Sequence, residues 1–199
     1  MVLSDVLVVL LASLQLSLRM TPLVIVVATL VRSVLLLTGR KRAFHTWTRN
    51  TLLSVLTIVF APGMVVNTLI RYLICAILKV DIEGVGGTST YAEFNLFLEV
   101  GKPPHVAVLL TALFVSSVLS VFVSLSLLFI PFVLLMGVPV VLLCWYVAMS
   151  VLLNSCIRSG DIVLLGESLK KHGERGVLEL VCVIAALALF YTQIVGVVL

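Results

Sequence analysis

The chain has 199 residues, of which 62% are hydrophobic and 11% are charged, and its formal net charge is +4. Soluble domains average about 45–50% apolar and about 25% charged residues, so this composition excludes a soluble enzyme and predicts an integral membrane protein. The basic residues lie in short connections between apolar blocks, which suits cytoplasmic membrane loops and does not indicate a nucleic-acid partner.

The first 38 residues contain two apolar blocks, Val2–Leu18 and Leu23–Leu37, separated by a short segment that ends in Pro22. Proline removes a helical hydrogen bond and clashes with the preceding turn. One helix across both blocks would be roughly 54 Å long, well beyond a hydrocarbon layer of about 30 Å. We therefore expect a helix pair joined by a tight turn, with one long kinked helix as the alternative.

The loop 39–49 carries four basic residues and no acid, and its Trp47 suits a membrane interface. By the positive-inside rule this loop is cytoplasmic. The following apolar block, 51–80, is interrupted at Pro62-Gly63 and contains Asn67 and Arg71. An arginine at depth in a membrane is costly and demands a partner, for which Asp161 and Glu83 are the candidate acids. An arginine near an interface can instead extend its guanidinium to water.

The segment 81–105 is acidic and contains the run Gly84-Val85-Gly86-Gly87, which predicts a turn leading into a strand over 91–100. The acidic residues indicate an external position. The sequence therefore predicts a small β-strand or hairpin insertion near 84–100.

The block 106–155 predicts two helices, divided near Pro131 or near Gly137-Val138-Pro139, with serines for close packing and backbone bonding. The polar connection 156–175 predicts a short interfacial helix over 161–172, and 176–199 predicts a last span with Glu179 near its N-terminal end. The fold class is thus an all-α integral membrane protein, one membrane domain with five or six transmembrane helices.

The orientations of these loops conflict, because basic 39–49 and 156–175 indicate the cytoplasmic side and acidic 81–105 indicates the external side. A re-entrant turn at Pro62-Gly63 or one wrong assignment would resolve the conflict.

The four cysteines lie in or beside apolar blocks without metal-binding spacing, so neither a disulfide framework nor a zinc knuckle is indicated.

The Pro-Gly entry, the apolar helix after it and the strand that follows resemble the active-site region of site-2-protease-like membrane zinc metalloproteases. In that family two histidines one turn apart bind zinc and a glutamate activates water. The resemblance, over roughly 51–165, aligns the histidines with Asn67 and Arg71 and the glutamate with Thr68 of Asn67-Thr68-Leu69-Ile70-Arg71. Asparagine is a poor zinc ligand, threonine lacks a carboxylate, and arginine would repel the cation.

The segment 148–161 is similar to the family's Pro-Ser…Asp segment, although it lacks the proline, and the resemblance implies that Asp161 stands at the third-ligand position. We expect Arg71 to form a polar cluster with Asp161 or with Asn67 in the volume that zinc occupies in active relatives. No catalytic residue, metal ligand or cofactor is expected.

The sequence therefore predicts a catalytically inactive, metalloprotease-like scaffold or accessory subunit in the cell membrane, with the lipid bilayer and other membrane subunits as partners. An exposed strand can pair with a partner's backbone, which makes the strand of Phe94, Leu96 and Leu98 the expected contact surface. A structural subunit unrelated to proteases, a small transporter or channel, and an active protease with ligands elsewhere are the alternatives.

Overall fold

A computed structural model describes residues 2–39, 55, 58–90 and 93–194. Within those ranges the chain forms a helical bundle and one β-hairpin. The elements are α1 (Val2–Gly39), α2 (Ala61–Ile77), β1 (Ile82–Thr90), β2 (Glu93–Val100), α3 (Val106–Val133), α4 (Val138–Asn154) and α5 (Ser159–Leu189), which continues into a π-helical turn (Phe190–Ile194).

The expected helix pair in the first 38 residues is wrong, because α1 is one continuous helix with Pro22 inside it. One face of α1 carries the small buried residues Ser13, Ser17, Thr21 and Ala28, and α1 packs along α3. Close to the proline, the Thr21 hydroxyl donates to the Ser17 carbonyl at 2.6 Å. Packing of this face along one neighbouring helix outweighs the local break, and hydroxyl groups near a proline commonly support such helices in lipid.

Three helical segments of the described residues are long and apolar enough to cross a membrane, namely Ser4–Val34, Val106–Val133 and Gly160–Gln193. The apolar helices Ala61–Ile77 and Val138–Asn154 are shorter. The protein is therefore a mostly helical membrane protein with a small two-stranded sheet.

The run of glycines at 84–87 lies inside β1 and does not form the expected turn. β1 and β2 pair antiparallel, with Gly84 opposite Glu99, Gly87 opposite Leu96 and an irregularity between Ile82 and Gly84. β2 needs a backbone partner, and the glycine-rich segment of β1 supplies one, because strand pairing uses backbone groups that glycine also has.

The break between α3 and α4 lies at residues 134–137, next to Gly137 and after Pro131, which is inside α3. The two helices run antiparallel, and the Ser124 hydroxyl donates to the Ala148 carbonyl at 2.6 Å. The hydroxyls of Ser116 and Ser117 donate to the carbonyl of Leu113 in their own helix, at 3.0 and 2.8 Å. The expected backbone-bonding role is confirmed for Ser116, Ser117 and Ser124. Ser120 instead donates to the side-chain oxygen of Asn67, and the buried hydroxyl of Ser126 has no hydrogen-bond partner within the described ranges.

The chain changes direction within α5 at Gly173, whose φ of 53° and ψ of −128° are not helical. Before this point Ser168 donates to the Pro104 carbonyl at 2.6 Å. After it, Glu179 accepts a hydrogen bond from the Ala107 backbone N–H at 3.2 Å. Glu179 thus stabilises the N-terminus of α3 and not, as expected, that of its own span.

The hairpin, the N-terminus of α3 and the kink of α5 lie at one end of the bundle, which we call the hairpin end. α1 runs antiparallel to α3, because residues near its start, including Val9 and Leu16, face Phe129 and Val133 near the end of α3. The C-terminal end of α1 therefore points toward the hairpin end. Residues 40–49 lie outside the described residues, so the cytoplasmic position of 39–49 and the external position of 81–105 stay predictions.

Candidate functional site

The start of α2 is held by a polar stripe on α4 made of Tyr146, Ser150 and Asn154. The Phe60 carbonyl accepts hydrogen bonds from the Ser150 hydroxyl at 2.9 Å and from the Asn154 amide at 3.1 Å. The Gly63 N–H donates to the Ser150 hydroxyl at 2.8 Å. The first N–H groups of a helix have no acceptor within the helix, and the Ser150 hydroxyl supplies one for Gly63.

The two helices also come unusually close at this point. A Cβ atom placed on Gly63 would overlap the backbone carbonyl of Ser150. The Tyr146 hydroxyl donates to the Val59 carbonyl, two residues before α2. Pro62-Gly63 is therefore a docking point on α4 as well as a helix start, because proline suits the first turn and glycine permits the close approach.

Asn67 is 1% exposed and joins three helices. Its amide nitrogen donates to the Asn154 carbonyl at 2.5 Å, and its amide oxygen accepts from the Ser120 hydroxyl at 2.9 Å. Thr68 beside it is also buried, and its hydroxyl has no hydrogen-bond partner within the described ranges. Both polar atoms of the Asn67 side chain are thus hydrogen-bonded, one to α4 and the other to α3.

The expected contact between Arg71 and Asp161 is present. The Arg71 Nη1 lies 2.8 Å from one carboxylate oxygen and 3.0 Å from the other, and Nη2 donates to the Cys156 carbonyl at 3.2 Å. The two side chains are 12% and 16% exposed. The alternative pairing of Arg71 with Asn67 is not formed, because the amide of Asn67 bonds elsewhere.

Asp161 also organises the start of α5. Its carboxylate accepts a hydrogen bond from the Arg158 backbone N–H at 2.9 Å, within the first turn of that helix. A carboxylate in this position satisfies a free donor and complements the positive end of the helix dipole. One carboxylate therefore ties α2 to the junction between α4 and α5.

Three guanidinium groups gather around Cys156, and we call Arg32, Arg71 and Arg158 the arginine cluster. The Arg32 Nη1 donates to the Cys156 sulfur at 3.1 Å. Burial lowers the pKa of Arg158 to about 10, and the charges of Arg71 and Arg32 also lower it, whereas Cys156 and Asp161 raise it. Arg158 remains a cation at neutral pH. No pattern in the sequence indicated that Arg32 and Arg158 would join Arg71.

These residues do not fit a zinc ion. Zinc in proteins takes imidazole, thiolate or carboxylate ligands in tetrahedral geometry. The position implied for the second histidine holds a guanidinium directed at Asp161, and the oxygen of Asn67 is bonded to Ser120. Over the described ranges, no group of three or more His, Cys, Asp or Glu side chains could hold a metal ion.

The predicted contact strand lies beyond the C-terminal end of α2. Phe94, Leu96 and Leu98 are in β2, paired with Ser89, Gly87 and Val85 of β1 respectively. The described sheet has two strands, so each strand has one edge without a sheet partner in the part of the chain that the structure describes. The structure does not bring this strand into the polar network of α2.

Two histidines that lie far apart in the sequence are in contact. The rings of His105 and His172 have centroids 4.5 Å apart, and the His105 Nδ1 lies 3.1 Å from a Glu179 oxygen. This group joins the kink of α5 to the N-terminus of α3. Comparison of the chain with protein-family models, with curated proteins and with solved structures finds no match.

Proposed function

We propose that this chain is a catalytically inactive, metalloprotease-like membrane protein that serves as a scaffold or accessory subunit of a membrane complex. The observation that carries the proposal is the ion pair between Arg71 and Asp161. The resemblance in the sequence assigns these positions to two ligands of one zinc ion. Here they carry opposite charges and bind each other directly.

The chemical consequence is that the carboxylate of Asp161 is occupied and does not serve as a general base. Both oxygens of Asp161 are engaged, one with Arg71 alone and the other with Arg71 and the Arg158 N–H. Thr68, at the position of the general-base glutamate, has no carboxylate. Polar side chains that satisfy one another hold helices in fixed positions, which suits a binding role better than a catalytic one.

The proposal includes a topology in which α2 is a re-entrant element. The start of α2 is bonded to Ser150, which lies about 18 Å along α4 from Val138. A helix that starts at this depth does not cross the bilayer from the opposite surface. α1, α3, α4 and the second half of α5 are then the crossing helices, and α2 returns to the hairpin end, where 39–49 and 81–105 share the cytoplasmic side.

The accessory role places the partner contact on the hairpin. A strand edge without a sheet partner offers backbone donors and acceptors to another chain. The hairpin lies outside the bundle at the end of α2, so a partner can pair with it without displacing a helix. β2 also contacts α2, so a strand bound to the edge of the hairpin would lie close to that helix.

The test compares two lysine substitutions in the full chain, because charge on a strand disfavours strand addition. Leu98→Lys alters β2, whereas Leu135→Lys alters the 90% exposed residue between α3 and α4, at the other end of the bundle. Each variant is purified from its native membrane in mild detergent after crosslinking, and the attached proteins are quantified.

The proposal expects a defined set of partners that Leu98→Lys loses and Leu135→Lys keeps, with both variants equally stable. Equal partner recovery from both variants would contradict the hairpin contact. Recovery of the wild-type chain as a lone monomer after crosslinking would contradict the accessory role altogether. Partner recovery that survives Leu98→Lys would favour a structural subunit that binds through its helices.

A further inference from the structure

An apolar cavity of about 370 Å³ lies between the first half of α1 and the last turns of α3, at the end of the bundle opposite the hairpin end. Phe129 and Phe132 in its wall are 41% and 57% exposed, so the cavity opens onto the outer surface of the bundle. An engineered apolar cavity of about 150 Å³ binds benzene, so this one is large enough for a longer apolar group. The apolar side chains that line it are those of Val9, Ala12, Leu16, Phe129, Phe132 and Val133.

The cavity also contains a hydroxyl group, that of Ser13 on α1. Ser13 is 1% exposed, and its hydroxyl has no hydrogen-bond partner in the described part of the chain. Ser17 and Ser33 on the same helix instead donate to the carbonyls of Leu14 and Thr29, which is the common arrangement for a serine within a helix. The Ser13 hydroxyl is therefore a buried donor that borders the cavity without an acceptor.

The surroundings of the cavity are those of a membrane boundary. Phe129 to Val133 covers about 6 Å at the end of α3, a helix long and apolar enough to cross a membrane. The turn that follows, 134–137, contains no polar side chain, and Leu135 in it is 90% exposed. Ester groups of phospholipids lie where the hydrocarbon layer meets the headgroups, which is the level at which a crossing helix ends.

We propose that this cavity holds one acyl chain of a membrane phospholipid, whose ester carbonyl accepts a hydrogen bond from the Ser13 hydroxyl. An acyl chain fills the cavity because its walls would otherwise lose their dispersion contacts. Water is a poor occupant, since a buried water needs two to four polar partners and the side chains in the wall offer one hydroxyl.

The ester carbonyl also meets the requirement of the hydroxyl. A buried donor without an acceptor is costly, and an ester oxygen accepts a hydrogen bond without needing a donor in return. The site thus selects an apolar chain that carries an acceptor near its polar end, and it makes no demand on the headgroup. The inference depends on the cavity and on Ser13, and on neither the protease resemblance nor the hairpin contact.

The experiment uses the purified full chain in dodecyl maltoside, a detergent without a carbonyl group, and native mass spectrometry. The probes are two phosphatidylcholines with the same 18-carbon chains, one with ester bonds and the other with ether bonds, which lack the carbonyl. Ser13→Ala removes the hydroxyl and keeps the cavity, whereas Ala12→Phe fills the cavity from its exposed rim. The matched control is Ser17→Ala, which removes a hydroxyl already bonded within its own helix.

We expect one ester lipid per wild-type chain, bound about fivefold more tightly than the ether lipid, the effect of one hydrogen bond. Ser13→Ala should bind the two lipids equally, Ser17→Ala should keep the preference, and Ala12→Phe should lose both lipids. The unfolding temperature of each variant is measured without lipid. If Ala12→Phe does not fold, the comparison of the two serine variants still decides.

Three results would overturn the proposal. The first is a wild-type chain that retains no lipid or retains both lipids equally. The second is a preference for the ester lipid that survives Ser13→Ala or is lost equally in Ser17→Ala. The third is a dimer of the chain that Ala12→Phe abolishes, which would assign the cavity to a second copy of this chain.

Discussion

Replacing Asp161 by asparagine tests the ion pair with the smallest change of shape. The substitution removes the charge that faces Arg71 at 2.8 and 3.0 Å. It keeps an oxygen that can still accept from the Arg158 N–H. The expected loss of stability therefore measures the interaction between the two charges and not the creation of a cavity.

The structure sets the size of the expected loss. With both side chains at or below 16% exposure, the pair is closer to a buried than to a surface ion pair. Removing one partner of a buried pair costs about 3–5 kcal/mol, because the other charge is left uncompensated, whereas an exposed pair contributes about 0–1 kcal/mol. We expect Asp161→Asn to lower the free energy of unfolding by about 3 kcal/mol.

The assay is reversible unfolding in mixed micelles, analysed as a double-mutant cycle with Arg71→Met. Because the double variant lacks both charges of the pair, we expect it to recover to within about 1 kcal/mol of the wild-type protein. Asp5→Asn, at an exposed acid in the first turn of α1, is the control and should cost less than about 1 kcal/mol. Equal effects of Asp161→Asn and Asp5→Asn, with no coupling to Arg71, would refute the reasoning.

Two further predictions concern the docking of α2 on α4. Gly63→Ala forces α2 away from α4 and should cost about 3 kcal/mol, whereas Gly166→Ala, with nothing within 4 Å of the new atom, should stabilise the helix by up to about 1 kcal/mol. Equal unfolding midpoints for the two variants would show that the close approach is absent. Ser150→Ala leaves the Gly63 N–H without its acceptor and should cost about 1–3 kcal/mol. It should also speed hydrogen exchange at that amide, and Ser33→Ala, at an exposed serine, should do neither.

The ion pair could be predicted from the sequence because charge is scarce in this chain. An arginine within an apolar block requires an acid, and few acids were within reach of α2, so Asp161 was one of two candidates. The division between α3 and α4 was also predictable, because Gly137 and Pro139 fall where an apolar run is twice the length of one span.

The hydrogen-bond partners of the polar stripe on α4 could not be predicted from the sequence. Tyr146, Ser150 and Asn154 recur every four residues and so share a helix face, which is the signal that the sequence does contain. A hydroxyl in an apolar helix can bond its own backbone equally well, as Ser116 does. Which of these partners it takes depends on how closely the neighbouring helix approaches.

Tertiary packing overrode two local signals. Pro22 indicates a break, but a buried face of small residues keeps α1 continuous along α3. The glycines at 84–87 indicate a turn, but β2 recruits them as a pairing partner. In both places the decisive interaction is with residues distant in the sequence, which a local pattern does not contain.

The central claim is that Asn67, Thr68 and Arg71 replace the zinc ligands and base of a metalloprotease site. Zinc content per chain, measured by plasma mass spectrometry on purified folded protein, tests it most directly. The account predicts no stoichiometric zinc in the wild-type chain and stoichiometric zinc in the variant Asn67→His/Thr68→Glu/Arg71→His, lost again when Asp161→Asn is added. Stoichiometric zinc in the wild-type chain, or a folded triple variant that binds none, would contradict it.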